Sequence, residues 1–246
     1  MLNENDIFLS VVIPAYNEEG RIGDTLGAII SYLKSRDYKS ELILVSDGST
    51  DSTINIARQE SERTDYDIKI TENEVCSGKG YSVRKGMMET RGAYALFTDA
   101  DLSTPINEIE KLLYWLERDY DVAIGSRALK DSQVEIHQTF IRETMGKVFN
   151  KIMSLMVFTG FKDTQCGFKC FTRDAVNRIF KRQTINGFAF DVEILLIAKR
   201  QGFRIKEVPV RWLNSPYSKV HILRDPVLML CEVFRIRFYD FLKRYS

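Results

Sequence analysis

Two aspartates follow an apolar segment near the middle of the chain. The segment 94–97 predicts a buried strand, and Asp99 and Asp101 follow it in the loop of residues 98–105. Successive side chains of a strand alternate between its faces, so both carboxylates can point the same way where the strand ends. Two such carboxylates repel each other unless a cation lies between them, and Mg²⁺ takes one or two carboxylates together with substrate phosphates. The spacing therefore indicates a divalent metal site, although an Asp-x-Asp alone is also typical of a solvated turn.

The elements that must position this pair alternate regularly along the first half of the chain. Strands are predicted at 8–13, 42–45, 68–71, 94–98 and 122–125, and helices at 18–34, 51–63, 79–90 and from Pro105 onward. This alternation predicts an α/β fold, a Rossmann-like, doubly wound, mostly parallel sheet with helices on both faces. The second half is less regular, with helices predicted at 138–161, 187–200 and 226–244 and a strand at 205–212.

The loops at the ends of the other strands also carry residues with binding chemistry, because ligands of such sheets lie beyond the carboxyl ends of the strands. The first loop lacks the glycine-rich turn of a dinucleotide site. In the second, Asp47 can accept hydrogen bonds from a base or ribose, while Ser49 or Thr50 could simply cap the next helix. In the third, Lys79 lies between two glycines, which suits a phosphate although the P-loop spacing is absent. Together these loops indicate a nucleotide site.

Charge is divided unevenly between the two halves of the 246 residues. Residues 1–120 hold 13 Lys and Arg against 22 Asp and Glu, whereas residues 121–246 hold 22 against 12. A basic half suits an anionic partner such as phosphate, an acidic membrane surface or nucleic acid. The four cysteines form no CxxC pair, the first residues are acidic and polar, and no run of about 20 apolar residues occurs. These features predict a cytoplasmic protein, peripheral on the cytoplasmic face of a membrane.

Several segments resemble a known enzyme family. Residues 13–19, 45–51 and 98–105 resemble the nucleotide-sugar-binding half of the family 2 glycosyltransferases, which have the GT-A fold. The resemblance continues through 124–127, 163–169, 190–193 and 210–212, and the segments 163–169 and 215–220 narrow it to the polyprenyl-phosphate branch. This branch includes the dolichyl-phosphate β-glucosyltransferases and the dolichyl-phosphate mannose synthases, and the motifs resemble the β-glucosyltransferase type most closely. The resemblance implies a catalytic domain over 1–225, divided near residue 125 into nucleotide-sugar and acceptor halves, followed by an amphipathic helix over 226–246.

The resemblance also implies roles for individual residues. It assigns the nucleoside to Pro14, Ala15, Tyr16, Glu18 and Asp47, a Mg²⁺ or Mn²⁺ ion to Asp99 and Asp101, the diphosphate to Lys79 and Lys219, and the acceptor phosphate to Arg127 and Arg142. Two positions depart from the family pattern. Ser46 stands where many relatives have a further aspartate, and Ser103 stands where some mannosyl-transferring relatives have glutamine. The second departure weakens a mannosyltransferase interpretation.

The expected reaction is inverting, metal-dependent transfer of a hexose, most simply glucose from UDP-glucose, to a polyprenyl or dolichyl phosphate. The metal held by Asp101 and its partner stabilises charge on the leaving diphosphate. A phosphate acceptor is already dianionic and needs no general base. A glycan hydroxyl would need a carboxylate base, for which Asp163 and Asp191 are the candidates, although Asp191 equally suits the start of a helix.

Other functions remain as alternatives at this point. Within the class they are mannosyl transfer from GDP-mannose and transfer to a glycan hydroxyl. A sugar-nucleotide pyrophosphorylase would need a glycine- and arginine-rich turn after the first strand, which is absent. A non-catalytic nucleotide-sugar sensor is disfavoured by the aspartate pair, and no nucleic acid partner is predicted.

The C-terminal segment suggests contact with the membrane that holds the lipid. Leu228, Cys231 and Phe238 alternate with the basic residues Arg235, Arg237, Lys243 and Arg244. This pattern is consistent with an interfacial helix, and residues 149–158 form a second candidate. Apolar stripes at helical spacing more often belong to a core. Peripheral membrane contact is therefore a prediction, and homo-oligomer formation is left open.

Overall fold

The computed structural model describes residues 6–134, 160–213 and 224–245. The strands are β1 (Leu9–Ala15), β2 (Ser40–Ser46), β3 (Ile68–Glu72), β4 (Tyr94–Thr98), β5 (Val122–Ser126), β6 (Gln133–Val134), β7 (Phe168–Thr172), β8 (Ile205–Pro209) and β9 (Arg211–Trp212). The helices are α1 (Ile22–Lys34), α2 (Thr53–Thr64), α3 (Lys79–Met88), α4 (Ile109–Leu116, preceded by a 3₁₀ turn at Ile106–Glu108), α5 (Arg173–Ile179), α6 (Phe190–Arg200) and α7 (Arg224–Phe241).

Seven of the strands form one sheet in the order β3-β2-β1-β4-β7-β5-β8. β7 runs antiparallel to both of its neighbours, β4 and β5. The other pairings in this sheet are parallel. The predicted α/β fold with a mostly parallel sheet is confirmed. Because β1, β2 and β4 point the same way, the loops that follow them meet at one edge of the sheet.

Alternate residues of β1 enter two apolar cores, one on each face of the sheet. Val11 and Ile13 pack with residues of α1 and α4, whereas Val12 packs with residues of α3 and α6. Every residue of β1 is buried, as expected for a parallel strand covered by helices on both faces. The two cores hold the strands rigidly and thereby fix where their carboxyl ends lie.

The second half differs from the sequence-based prediction in two respects. β7 and α5 were not predicted, and the single strand expected at 205–212 is divided into β8, which pairs with β5, and β9, which pairs with β6. The division follows Pro209, which has no N–H with which to continue the ladder. Residues 138–159 of the predicted helix 138–161 lie outside the described residues.

Helix α7 packs its inward face against the layer that contains α6. Met229, Val233 and Ile236 are buried in the core that α6 also enters. Beyond the helix, the hydroxyl of Tyr245 donates to the carboxylate of the fully buried Glu193 (2.7 Å), which ties the C-terminal residues to α6. No helix within the described ranges is long and apolar enough to cross a membrane.

Helix α3 approaches the sheet most closely at Gly86, where a Cβ would lie closer than 3.0 Å to side-chain atoms of Val12 and Val45. We expect Gly86→Ala to lower the free energy of unfolding by about 1–2 kcal/mol, because overpacking outweighs the better helix propensity of alanine. Urea unfolding would measure this change. Gly20→Ala is the control, since no atom lies within 4 Å of its added Cβ. Equal stability of the two variants would contradict the close approach.

Candidate active site

The loops after β1 and β2 are joined into one rim by reciprocal hydrogen bonds. Asn17, whose φ of 51° is left-handed, donates its N–H to Ser49 Oγ (3.1 Å), and its side-chain Oδ1 accepts from the N–H of Thr50 (2.8 Å). The N–H of Glu18 donates to Thr53 Oγ1 (2.7 Å). Ser49 thus binds the neighbouring loop, and neither Ser49 nor Thr50 is the residue that precedes α2, which is Ser52.

The predicted nucleoside residues lie along this rim. Pro14 and Ala15 are buried at the end of β1, whereas the side chain of Tyr16 is 40% exposed just beyond it. The carboxylate of Glu18 pairs with Arg21 (2.5 Å from Oε2 to Nε). Tyr16 therefore offers an accessible aromatic surface at the strand end, and Glu18 is turned towards its own basic partner.

Asp47 anchors the loop that leads into α3. Its carboxylate is buried and accepts hydrogen bonds from the Asn73 amide (2.8 Å) and from the backbone N–H groups of Ser77 (2.9 Å) and Gly78 (2.8 Å). Gly78 has a φ of 105°, and a Cβ there would lie closer than 3.0 Å to the carbonyl oxygen of Asn186. Asp47 thus fixes the N-terminal end of α3, where Lys79 follows Gly78. Its contact with a nucleoside stays a prediction.

The predicted metal pair lies at the end of β4, as expected. The N–H of Asp99 donates to the carbonyl oxygen of Gly167 (3.2 Å), and Asp101 Oδ1 accepts from the N–H of Ser103 (2.9 Å). A Cβ on Gly167 would clash with all three atoms of the Asp99 carboxylate. The glycine leaves the space that this carboxylate fills. Across the site, Lys79 Nζ lies 2.6 Å from Asp99 Oδ1.

Positive and negative groups converge around this pair. Burial lowers the pKa of Lys79, but the charges of Asp99, Asp191 and Asp101 outweigh burial and raise it above its ordinary value. Burial likewise lowers the pKa of Arg21, and its bond to Glu18 together with the charges of Asp101 and Asp99 raises it overall. Both cations therefore stay charged at neutral pH and partly neutralise the acidic edge.

The donor set fits a hard divalent cation. Asp99 and Asp101 both follow β4, and their charges both act on Lys79 and on Arg21. Carboxylate oxygens are ligands that Mg²⁺ and Mn²⁺ favour. Among the residues that the structure describes, no group of three or more His, Cys, Asp or Glu side chains could hold a metal ion. An ion held by Asp99 and Asp101 would take its remaining ligands from substrate or water, as Mg²⁺ usually does.

Arg127, at the end of β5, is held by Asp163. Arg127 Nε and Nη2 donate to the two carboxylate oxygens of Asp163 at 2.7 and 2.9 Å, and the Arg127 N–H donates to Oδ2 at 3.0 Å. The guanidinium also lies 5.5 Å from the ring centroid of Trp212. Burial raises the pKa of Asp163, but Arg127 outweighs burial and holds that pKa at about 2. The hypothesis of Asp163 as a general base does not fit this geometry, because the carboxylate is a weak proton acceptor that is already engaged.

Asp191 is held by a second basic residue, Lys169. Asp191 lies in the first turn of α6, and its carboxylate pairs with the ammonium of Lys169, which also donates to the carbonyl oxygen of Cys166 (2.6 Å). Both side chains are buried. Burial raises the pKa of Asp191 despite the opposing charges of Lys169 and Lys79. The ion pair links α6 to β7 beneath the site.

The comparisons with known proteins identify the family. The sequence model described as "Glycosyl transferase family 2" matches residues 10–180. The chain belongs to glycosyltransferase family 2. The dolichyl-phosphate beta-glucosyltransferase of Saccharomyces cerevisiae is 36% identical to this glycosyltransferase over 253 residues, covering 96% of this chain and 75% of the relative. The Homo sapiens protein of the same name is 34% identical over 227 residues, covering 86% and 69%.

Solved structures agree on the fold of this glycosyltransferase. Glucosyl-3-phosphoglycerate synthase from Mycobacterium tuberculosis matches with a TM-score of 0.70 at 18% identity, covering 97% of this chain and 80% of that one. A complex of the same synthase with Mn²⁺, UDP and glucosyl-3-phosphoglycerate matches with a TM-score of 0.67 at 19% identity, with the same coverage. The neighbours have the GT-A fold, which confirms the predicted fold class.

The sequence-based prediction missed one site residue of this glycosyltransferase, and two residues that it did assign are not described by the structure. Lys169 was not proposed as a site residue, although a lysine between Phe168 and Cys170 in an apolar pentapeptide is a usable signal. A buried ammonium needs an acidic partner. Arg142 and Lys219, predicted to face the acceptor phosphate and the diphosphate, lie outside the described residues.

The Arg127–Asp163 pair should give a pH-dependent contribution to stability. The pKa of Asp163 is lowered in the folded state to about 2, so the contribution is complete above the ordinary pKa near 4 and is lost as the pH falls towards 2. We expect Asp163→Asn to cost about 2–3 kcal/mol of unfolding free energy at pH 7 and progressively less below pH 4.

Urea unfolding between pH 7 and pH 3 would measure this cost. Asp174→Asn is the matched control, because Asp174 forms an exposed pair with Arg178 (3.4 Å), and such pairs contribute less than about 1 kcal/mol. A cost for Asp163→Asn that does not change with pH would contradict the ionic role of Asp163.

Proposed function

We propose that this glycosyltransferase transfers glucose from UDP-glucose to the phosphate of a dolichyl or related polyprenyl phosphate, with inversion at the anomeric carbon. The names of the relatives, dolichyl-phosphate beta-glucosyltransferases, support the glucosyl donor and the lipid phosphate acceptor. The observation that carries the choice of acceptor is the engagement of both candidate bases, Asp163 by Arg127 and Asp191 by Lys169. A hydroxyl acceptor needs a base, whereas a phosphate dianion does not.

The donor occupies the rim formed by the loops after β1 and β2, together with the loop after β4. Tyr16 and the neighbouring loop residues contact the nucleoside, and Lys79 faces the diphosphate. Asp99 and Asp101 would hold Mg²⁺ or Mn²⁺, which would stabilise the negative charge on the leaving diphosphate. The Mn²⁺ and UDP present in the complex of the Mycobacterium tuberculosis synthase support this use of a divalent cation.

The acceptor phosphate binds at Arg127. Two of the five N–H donors of this guanidinium pair with Asp163, and the Trp212 ring lies against it. The remaining donors form a planar set of the kind that suits phosphate oxygens. Asp163 acts as a positioning residue that fixes the orientation of Arg127, and Arg142 is expected to add a second guanidinium.

The transfer itself needs no proton movement. A phosphate oxygen of the acceptor attacks the anomeric carbon, a new carbon–oxygen bond forms, and the bond to the diphosphate breaks so that UDP leaves with the electron pair. A single displacement of this kind inverts the anomeric centre. The chain contributes cations that bring two anionic substrates together, namely Lys79 on the donor and Arg127 on the acceptor.

Removing one of the two proposed metal carboxylates should strongly reduce turnover. We expect Asp101→Asn to lower kcat at least about 10²–10³-fold, because an electrostatic contribution to charge on the leaving group is lost. Purified protein, Mn²⁺ and a short polyprenyl phosphate are incubated with UDP-glucose, GDP-mannose or UDP-N-acetylglucosamine, and mass spectrometry of the lipid reports donor and acceptor together. Asp119→Asn, in a turn after α4, is the matched control. Undiminished product from Asp101→Asn, or preference for GDP-mannose, would overturn this part of the proposal.

The outward face of α7 suits an anionic membrane surface. It exposes Val227, Leu230, Phe234, Phe238 and Phe241 at helical spacing. The acidic residues among the described side chains of α7 are turned inward: Glu232 accepts from the N–H of Ala189 (3.1 Å), and Asp240 pairs with Arg200 (2.6 Å). The outward side of the helix is thus apolar and also exposes Arg235, a combination found in interfacial helices.

We propose that this face holds the enzyme on the cytoplasmic side of the membrane that contains the acceptor. The free state of all four cysteines agrees with a reducing compartment. The Phe234→Ser, Phe238→Ser double variant should bind vesicles of phosphatidylcholine and phosphatidylserine at least about tenfold more weakly, because each buried phenyl ring contributes about 1.5–3 kcal/mol.

Cosedimentation with these vesicles measures the change, and Tyr114→Ser, which alters an exposed aromatic residue on α4, is the control. Unchanged binding of the double variant would contradict the proposal. The proposal would also be contradicted if light scattering showed that the unaltered chain is a dimer and the double variant a monomer. The face would then belong to an interface between two copies of the chain.

A further inference from the structure

The ammonium of Lys79 lies beside the Asp99 carboxylate, where a divalent ion is expected to bind. Its Nζ is 2.6 Å from Asp99 Oδ1, and both side chains are only partly exposed. The ring of Phe190 lies 6.0 Å from the same nitrogen. The carboxylate that is expected to coordinate a divalent ion is thus already paired with a residue of the chain itself.

The backbone that carries Lys79 is fixed, so only its side chain can leave this pair. The preceding residue, Gly78, is held by Asp47 and packs against Asn186. A Cβ on the following residue, Gly80, would lie closer than 3.0 Å to the carbonyl oxygen of Ile185. The helix start cannot withdraw from Asp99 without breaking these contacts, whereas the four-carbon side chain of lysine can rotate.

The other cations near Asp99 have partners of their own. Lys169 is engaged by Asp191 and by the carbonyl oxygen of Cys166, and Arg21 is paired with Glu18. Arg127, on which the charge of Asp99 also acts, is paired with Asp163. Among the residues that the structure describes, Lys79 is the cation paired with the Asp99 carboxylate. Since a lysine ammonium and a divalent ion repel each other, both cannot contact the same carboxylate oxygen at full affinity.

We propose that Lys79 is a displaceable counterion of Asp99, which pairs with Lys79 in the nucleotide-free enzyme and with the divalent ion once the donor diphosphate has drawn the ammonium away. This inference rests on the metal and donor assignments of the proposed function. It gives Lys79 two successive partners, a carboxylate and then a diphosphate. It also makes binding of metal and donor mutually reinforcing, because the donor removes the competitor of the metal.

The test is the affinity of the nucleotide-free protein for Mn²⁺, measured from the electron paramagnetic resonance signal of the free ion. We expect Lys79→Met to bind Mn²⁺ roughly tenfold more tightly than the unaltered chain, within the 5- to 150-fold range usual for coupled sites. UDP should then enhance Mn²⁺ binding less in Lys79→Met than in the unaltered chain. Equal or weaker Mn²⁺ binding by a folded Lys79→Met protein would overturn the proposal.

Three further variants separate the possible outcomes. Lys69→Met is the matched control, because Lys69 is also paired with a carboxylate (2.9 Å to Glu89) and its loss changes the net charge equally. Lys79→Arg keeps the positive charge and should keep weak Mn²⁺ binding. Asp99→Asn should remove the gain of Lys79→Met. If Asp99→Asn leaves Mn²⁺ binding unchanged in both backgrounds, the metal assignment fails and the counterion role fails with it. If Asp99→Asn weakens Mn²⁺ binding but Lys79→Met does not strengthen it, only the counterion role fails.

Discussion

The structure depends on the neutralisation of carboxylates that converge at the end of β4. Asp99, Asp101 and Asp191 all act on the charge of Lys79, and like charges this close destabilise a fold unless cations lie among them. The chain supplies Lys79 on one side and Lys169 from below. A substrate that enters such a site exchanges ionic partners rather than meeting unpaired charges. We therefore expect this site to favour ligands that carry both anionic oxygens and a cation of their own.

One antiparallel strand joins the donor and acceptor parts of this edge. β7 lies between β4 and β5, and the segment that precedes it supplies Gly167 against the Asp99 carboxylate and Asp163 against Arg127. The strand itself supplies Lys169. The segment around β7 therefore contacts both the carboxylate proposed to bind the metal and the arginine proposed to bind the acceptor.

The sequence allowed prediction of the parallel part of the fold, because β1, β2 and β4 are continuous apolar runs followed by polar loops. For the same reason the two aspartates predicted to bind a metal could be located at the end of β4, where the structure has them; their metal binding stays a prediction. β7 escaped prediction since its five residues contain a lysine, and an antiparallel insertion between parallel strands leaves no local signal. The ion pairs of Asp163 and Asp191 also could not be foreseen, because their partners lie 36 and 22 residues away along the chain. Only the folded arrangement distinguishes a free carboxylate from an engaged one.

That distinction bears directly on the chemistry. Transfer to a hydroxyl requires a carboxylate that is unprotonated, accessible and free to accept a proton. Asp163 is unprotonated but engaged through both oxygens, and Asp191 is buried with its pKa raised and its charge balanced by Lys169. Both carboxylates are thus engaged by basic residues, which leaves neither of them well suited to remove a proton. An acceptor that is already ionised needs oriented positive charge, which this edge of the sheet provides. It needs no carboxylate base, which neither aspartate is free to supply.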